Sequence, residues 1–387
     1  MKMIVIGAVA AGTSAAAKAR RNDDLAEITV YEKDQDISYS GCGLPYYIGD
    51  EIQSIEALTP RDSGFFKKKY NIDVKIRHEV VEIDPVKKQV QVRNLSTGDI
   101  FQDSYDKLVV ATGARSFIPN IEGAYSNHVF NLRNVQDAIR IKDFIQTNKP
   151  STAVIAGTGF IGFELLENLI AHDIDVTIVE MMDKITPNLD RDMAIYLENK
   201  LQEKDVKIIT GCKIVSINEK HVLCSDYKEI EADMVILATG VKPNTDLAVR
   251  AGIEIGVTGA IKVNKAMMTS QEDIYACGDC IETYSSITGK PVYHPLGSTA
   301  NKTGRIAGDA MTGGRLRYQG NLGTGIFKLF DYTIASTGLS ETKAREEGFD
   351  LIISHNIKPD KPAYFDGEEM IIKAIADKSS GQLLGVQ

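Results

Sequence analysis

Two sets of glycines carry the first chemical information in this chain. Ile4-Val5-Ile6-Gly7 continues through Ala8, Val9, Ala10 and Ala11 to Gly12, and Val154-Ile155-Ala156-Gly157 continues through Gly159, Phe160 and Ile161 to Gly162. Each set joins a short apolar run to a stretch rich in Ala or Leu. A strand that turns on glycine into a helix aims the helix's first unpaired backbone N–H groups at one point, where a pyrophosphate can be held. An acid ends the next apolar run in both copies, Glu32 in Thr29-Val30-Tyr31-Glu32 and Glu180 in Thr177-Ile178-Val179-Glu180. A carboxylate there can accept hydrogen bonds from ribose hydroxyls. The copies close alike, on Ala111-Thr112-Gly113 and Ala238-Thr239-Gly240. One such turn is weak evidence, because glycines before helices also serve packing. Two complete sets predict a chain that holds two dinucleotides and brings their reactive ends together.

The elements that must position these loops follow from the pattern around them. Strand and helix signals alternate in both segments, which predicts an α/β fold: two Rossmann-like domains with parallel sheets covered by helices. Each copy inserts alternating stretches before its closing strand, Val74–Arg77 to Val90–Arg93 in the first and Val206–Ile209 to His221–Leu223 in the second, with turns at Pro85 and Asn218. Residues 117–150 read as a linker that starts the second domain. From about Gly320 the texture changes to short β-rich runs, Gly325–Phe330 and Thr333–Thr337, which predict a smaller C-terminal α+β domain.

Composition excludes other classes. At 387 residues the chain has room for two or three cores. Its net charge of −9 is spread without a basic block, so neither nucleic acid nor an anionic membrane is an expected partner. No apolar run reaches the length of a membrane span, and the start leads directly into a strand, which predicts a cytoplasmic protein. Five dispersed cysteines do not make a secreted disulfide framework.

The order of segments resembles the flavin-dependent pyridine nucleotide–disulfide oxidoreductases over essentially the whole chain. Thr269-Ser-Gln-Glu-Asp-Ile-Tyr-Ala-Cys-Gly278-Asp279 is similar to the family's second flavin motif, in which the Asp bonds the ribityl chain of FAD, and Pro295-Leu296-Gly297 resembles the start of the helix directed at the flavin ring. The resemblance implies FAD on residues 1–114 and 243–318, NAD(P)H on 115–242, and a C-terminal dimerisation domain on 319–387. It assigns Lys33, Val81, Ala111–Gly113, Gly278, Asp279, Pro295 and Leu296 to the flavin beside the first glycine loop and Glu32. The second loop, Glu180 and Gly240 are assigned to the nicotinamide nucleotide. Glu180 would repel a 2′-phosphate, so NADH is favoured over NADPH. Val9 departs from the pattern, standing where the middle glycine of the first loop belongs.

In Ser38-Tyr39-Ser40-Gly41-Cys42-Gly43-Leu44-Pro45 the disulfide pair of glutathione reductase-like members is reduced to one cysteine. The block resembles the coenzyme A disulfide reductases and their persulfide- or polysulfide-reducing relatives, whose lone cysteine forms a mixed disulfide with coenzyme A. A cysteine at a helix start beside a flavin would have its reactive thiolate stabilised. The positions matching substrate contacts are Ser14, Lys18, Arg21, Ser38, Gly41 and Asn301; Gly41 stands where the family often has Asn. Tyr364 matches an active-site tyrosine contributed to the neighbouring subunit of a homodimer. The family's third domain runs on past Gly381–Gln387, so the chain reads as truncated, with its C-terminal domain incomplete. Two alternatives stay open: an NADH oxidase or peroxidase that cycles through a cysteine sulfenic acid, and a redox-sensing or electron-transfer flavoprotein. Against the oxidase, Ala10 stands where those relatives carry His. No metal is expected: Gly278 and Asp279 inside Cys277-x-x-Cys280 belong to the flavin motif, and Cys212 and Cys224 read as packing residues.

Overall fold

The computed structural model describes residues 1–226, 228–362 and 364–387. The chain divides into two compact units, one of Met1–Gly43, Ser54–Arg115 and Val241–Asn321, the other of Leu44–Gln53, Ser116–Gly240 and Leu322–Gln387.

The first unit is built on a five-stranded parallel sheet in which Lys2–Ile6 lies between Glu27–Tyr31 and Lys107–Val110, with Asp73–Lys75 and Ile274–Ala276 on the edges. Met3, Ile4, Val5, Leu108, Val109 and Val110 are fully buried, as expected for strands covered on both faces. Helix Ala10–Asn22 covers one face. Its alanines favour the helix, and Arg20 and Arg21 in the last turn complement the dipole. Helix Gly297–Met311 packs against it so closely that a Cβ on Gly304 or Gly308 would run into the carbonyls of Ala11 and Ala15. The alternating stretches after Asp73–Lys75 form a three-stranded antiparallel sheet of His78–Asp84, Gln89–Asn94 and Ile100–Ser104.

The second unit repeats the plan. Thr152–Ala156 lies between Asp175–Val179 and Met234–Leu237, with Lys207–Ile209 and Val129–Phe130 on the edges of another five-stranded parallel sheet. The stretch 117–150 is more than a linker: it supplies that edge strand and the helix Val135–Asn148, which starts on a reciprocal capping box between Asn134 and Asp137.

The boundaries differ from those the sequence predicts in two respects. Leu44–Gln53 groups with the second unit. Lys142 Nζ reaches the carbonyl of Tyr47 at 2.8 Å and the carboxylate of Asp50 at 2.7 Å, and a His172 ring nitrogen lies 2.7 Å from the carbonyl of Ile48. The C-terminal five-stranded sheet, all antiparallel, also belongs to this unit. Phe327 packs on Phe160 and stacks on Phe163 at 5.7 Å. Lys373, 1% exposed, meets Asp190 at 3.2 Å and both Asp192 and Glu341 at 2.8 Å. Asp190 donates its N–H to Gln387 Oε1 at 2.9 Å and accepts from Gln387 Nε2 at 2.8 Å. Three acids around one buried ammonium keep the charge paired, which a single buried partner would do poorly.

Candidate active site

The two glycine loops adopt one geometry twice. Gly7 and Gly157 both have φ of +104°, a value L side chains rarely take, and a Cβ on either would press on the carbonyl of Ala111 or Ala238 at the closing strand. The next residue then turns its N–H toward the acid. Ala8 N–H donates to Glu32 Oε2 at 2.7 Å, and Thr158 N–H to Glu180 Oε2 at 3.0 Å. The second oxygen of each acid accepts from the residue two ahead, Asp34 N–H at 3.0 Å and Met182 N–H at 2.9 Å. One difference separates the copies: Thr158 also donates its hydroxyl to Glu180 at 2.6 Å. Burial pushes the Glu32 carboxyl up, against the two backbone N–H bonds that pull it down.

In the first unit, helix Ala10–Asn22 begins at Val9 with no side-chain cap and no acid in its first turn, so its leading N–H groups meet no anion of their own. Val9 has φ of −93°, so this position does not need the positive φ that favours glycine. Gly278, at φ +81°, donates its N–H to Thr303 Oγ1 at 3.1 Å, and the half-buried Asp279 follows it; its carbonyl accepts the Tyr293 hydroxyl at 2.9 Å. Thr112 is tied to Asn244 in both directions, at 2.7 and 2.8 Å. Pro295 and Leu296 are half-buried, and Leu296 starts the helix Gly297–Met311 with neither a side-chain cap nor an acid in the first turn. Val81 is the extra residue of a bulge between Val80 and Glu82, and its carbonyl accepts from Arg250 at 3.3 Å. Lys33 is exposed beside Glu32. Gly7, Ala8, Glu32, Ala111 and Gly278 meet at the start of helix Ala10–Asn22 and fit a dinucleotide: a glycine cradle that a Cβ would fill, a helix start with no acid of its own, and a buried carboxylate for ribose. In the second unit Gly159 caps the helix Phe160–Ile170, with Phe160 and Ile161 opening its first turn and Gly240, at φ +97°, at the closing strand.

Of the six predicted substrate positions, five line two adjoining cavities of the first unit. Ser14, Arg21, Ser38 and Asn301 line one of about 320 Å³, and the Ser14 hydroxyl bonds Asn301 Oδ1 at 2.8 Å. Lys18 and Arg21 line the other, of about 520 Å³. Lys18 is already held, 3.1 Å from Asp309 and 3.0 Å from Asn22. Gly41 is exposed and lines neither cavity. Sequence reasoning missed Arg61, Phe65, Tyr70 and Arg305 in the first cavity and Lys302, Arg305 and Arg317 in the second. Arg305 had a usable signal: it stands four residues after Asn301, on the same face of one helix. The Arg61 guanidinium lies 5.7 Å from the Phe65 ring, giving that wall both cation and aromatic face.

Cys42 is exposed, in a single 3-10 turn over Gly41–Gly43. The segment before it is anchored on the first glycine loop, where Ser38 N–H donates to the Ala8 carbonyl at 2.9 Å. The helix after it, Leu44–Ile48, has only five residues, so the dipole assistance expected from a helix start is small. Tyr364 is 81% exposed, between the strands Leu351–Pro359 and Glu369–Asp377. Cys277 and Cys280 are fully buried. Burial pushes both thiols up, Cys280 to about 11, and Cys280 Sγ lies 3.2 Å from the Cys277 carbonyl. Cys212 and Cys224 are buried as expected, but they share their position with Asp226, the ligand atoms of the three lying within 4.8 Å of one another. Among the described residues no helix is long and apolar enough to cross a membrane.

The family described as pyridine nucleotide-disulphide oxidoreductase matches residues 1–296, and its dimerisation domain matches 325–387. The chain is similar to the CoA-dependent NAD(P)H sulfur oxidoreductase of Pyrococcus furiosus, 36% identical over 100% of this chain and 87% of that protein. It is also similar to the coenzyme A disulfide reductase of Staphylococcus haemolyticus, 34% identical over 87% of this chain and 76% of that protein. The solved structure of a NAD-dependent persulfide reductase from A. fulgidus has a TM-score of 0.97 and 41% identity, over 100% of this chain and 73% of that one.

Proposed function

Because the chain belongs to the pyridine nucleotide-disulphide oxidoreductase family, we propose that it uses NADH and FAD to reduce coenzyme A disulfide, or a coenzyme A persulfide, at Cys42. The observation that carries this reading is the placement of a lone exposed thiol on a segment that starts at the first glycine loop and shares Ser38 with a cationic cavity. FAD held by the first loop, Glu32 and Asp279 would supply the two-electron relay between nicotinamide and sulfur.

The chain's own residues define the rest. The Cys42 thiolate attacks one sulfur of the substrate disulfide; a bond forms between Cys42 and one coenzyme A sulfur, and the other coenzyme A leaves as a thiolate that takes up a proton. Two electrons and a second proton then release the bound coenzyme A and restore the Cys42 thiolate, so one NADH and one proton yield two thiols. With a persulfide the products are one thiol and hydrogen sulfide. Arg21 and Arg305, which line both cavities, supply charge for the substrate's phosphates, and Phe65 and Tyr70 supply an apolar wall. In a homodimer, Tyr364 of the other subunit protonates the departing thiolate.

The test is anaerobic turnover of the flavin-loaded protein with NADH and coenzyme A disulfide. Two thiols per NADH consumed support the reading. NADH consumption that requires oxygen and releases no thiol overturns it.

A further inference from the structure

Away from the glycine loops, the second unit brings together two thiols and a carboxylate that the proposed reaction does not use. We propose that Cys212, Cys224 and Asp226 form a binding site for a thiophilic d10 divalent cation of the zinc class.

The placement follows from a hairpin. Ile214 pairs with Cys224 across the antiparallel strands Ile214–Ile217 and His221–Cys224. The ladder continues one step further, through Ser225 N–H to the Lys213 carbonyl at 2.8 Å and Lys213 N–H to Ser225 Oγ at 3.2 Å. Cys212 is thereby set opposite Asp226 and diagonal to Cys224. The two sulfurs are buried, at 4% and 1% exposure, whereas Asp226 sits at the rim. Lys228 N–H bonds Asp226 Oδ1 at 3.2 Å, and that oxygen lies 3.9 Å from Cys212 Sγ. Packing alone would account for two small buried thiols, but it does not require a carboxylate oxygen beside them.

The dimensions suit the cation. Tetrahedral bonds of about 2.3 Å to sulfur and about 2.0 Å to oxygen place ligand atoms about 3.5–3.8 Å apart. The observed separations, 3.9 Å for one pair and within 4.8 Å for all, need side-chain adjustments of about an ångström. Sulfur donors select against magnesium and calcium. Binding displaces the two thiol protons to solvent; three protein ligands leave the fourth position to water. Cys212 N–H donates to the Glu180 carbonyl at 3.0 Å, so the site is one hydrogen bond from the acid assigned to the nicotinamide nucleotide.

The test uses reduced, flavin-loaded protein carrying Cys42→Ser, which removes the exposed thiol. Native mass spectrometry with zinc, and cobalt(II) d–d absorption at wavelengths beyond the flavin bands, should show one metal per chain. Cys212→Ser and Cys224→Ser should each abolish it. Asp226→Asn, a surface change that leaves the core intact, should weaken it by at least about tenfold. Circular dichroism and thermal unfolding check folding of the cysteine variants. Undiminished binding in the three variants would overturn the proposal. So would a reduced parent protein that takes up no metal.

Discussion

Arg21 and Arg305 line both cavities of the first unit, and their replacement separates phosphate recognition from sulfur chemistry. Lys18 is a poorer choice, because it already pairs with Asp309, whose side chain is only 8% exposed. Removing Lys18 would leave a nearly buried carboxylate short of a partner and mix a structural cost with a binding one. Both arginines are exposed, so their attraction for a phosphate belongs near the high-dielectric limit, about 1 kcal/mol each at 4 Å. One replacement should therefore raise the KM for coenzyme A disulfide roughly fivefold, and both together up to roughly 30-fold, less if the two hold one phosphate. Turnover at saturation should change little, since binding common to ground and transition states is what is lost. The assay is steady-state NADH oxidation by the Arg21→Ala, Arg305→Ala and double variants, with coenzyme A disulfide and with a small uncharged disulfide, at low and high salt. The parent's KM for coenzyme A disulfide should rise with salt, and the double variant's should rise less. Equal effects on both disulfides, or on neither, would refute the assignment of these cations to substrate phosphates.

Cys42→Ser should abolish disulfide reduction while FAD stays bound, because the loop that would hold the flavin is elsewhere; visible absorption and thiol release check both. NADH should exceed NADPH in kcat/KM by at least about fivefold, the like-charge cost of a 2′-phosphate beside Glu180 at about 1 kcal/mol, and Glu180→Gln should narrow the gap. Gly7→Ala, which forces an alanine to φ +104° against the Ala111 carbonyl, should cost more than about 2 kcal/mol and yield protein that loses FAD on purification; a yellow, stable variant would contradict this. Burial pushes the Glu164 carboxyl up to about 7 from its ordinary 4.5. The stability linked to that proton is fully present below pH 4.5 and is lost as pH rises through 7, so Glu164→Gln should flatten the fall in Tm between pH 5 and 8, and parallel slopes would count against it.

Much of this architecture was legible because its determinants are local. Gly7 and Gly157, with Glu32 and Glu180 some two dozen residues on, specify a turn, a helix start and a hydrogen-bonded acid within one strand–helix–strand unit, and the structure places them so twice. Features set by distant segments were less legible. Nothing near Leu44 in sequence announces that Leu44–Gln53 is tied to Lys142 and His172, and Arg61 joins Ser14 and Asn301 around one cavity only after the chain has folded. The grouping of Cys212 with Cys224 and Asp226 depends on hairpin register, which a one-residue slip would destroy. The sequence predicts Cys42 at a helix start that would stabilise its thiolate, but the helix that follows, Leu44–Ile48, has only five residues, a length set by how the segment packs.

The single hydroxyl that distinguishes the two copies bears on how long each coenzyme stays. Glu180 accepts from three donors, two on Thr158 of the second glycine loop and one on Met182, so this buried carboxylate is not short of partners when no ligand is bound. On the proposed assignment a ribose hydroxyl that bonds Glu180 would compete with Thr158, which would take the oxygen back on departure. Among the described residues Glu32 has two donors, and burial raises its pKa; on the proposed assignment ribose hydroxyls would supply further ones. On that assignment the second copy suits a visitor that exchanges every turnover and the first a permanent resident, and Thr158→Ala should lengthen the dwell time of the nicotinamide nucleotide.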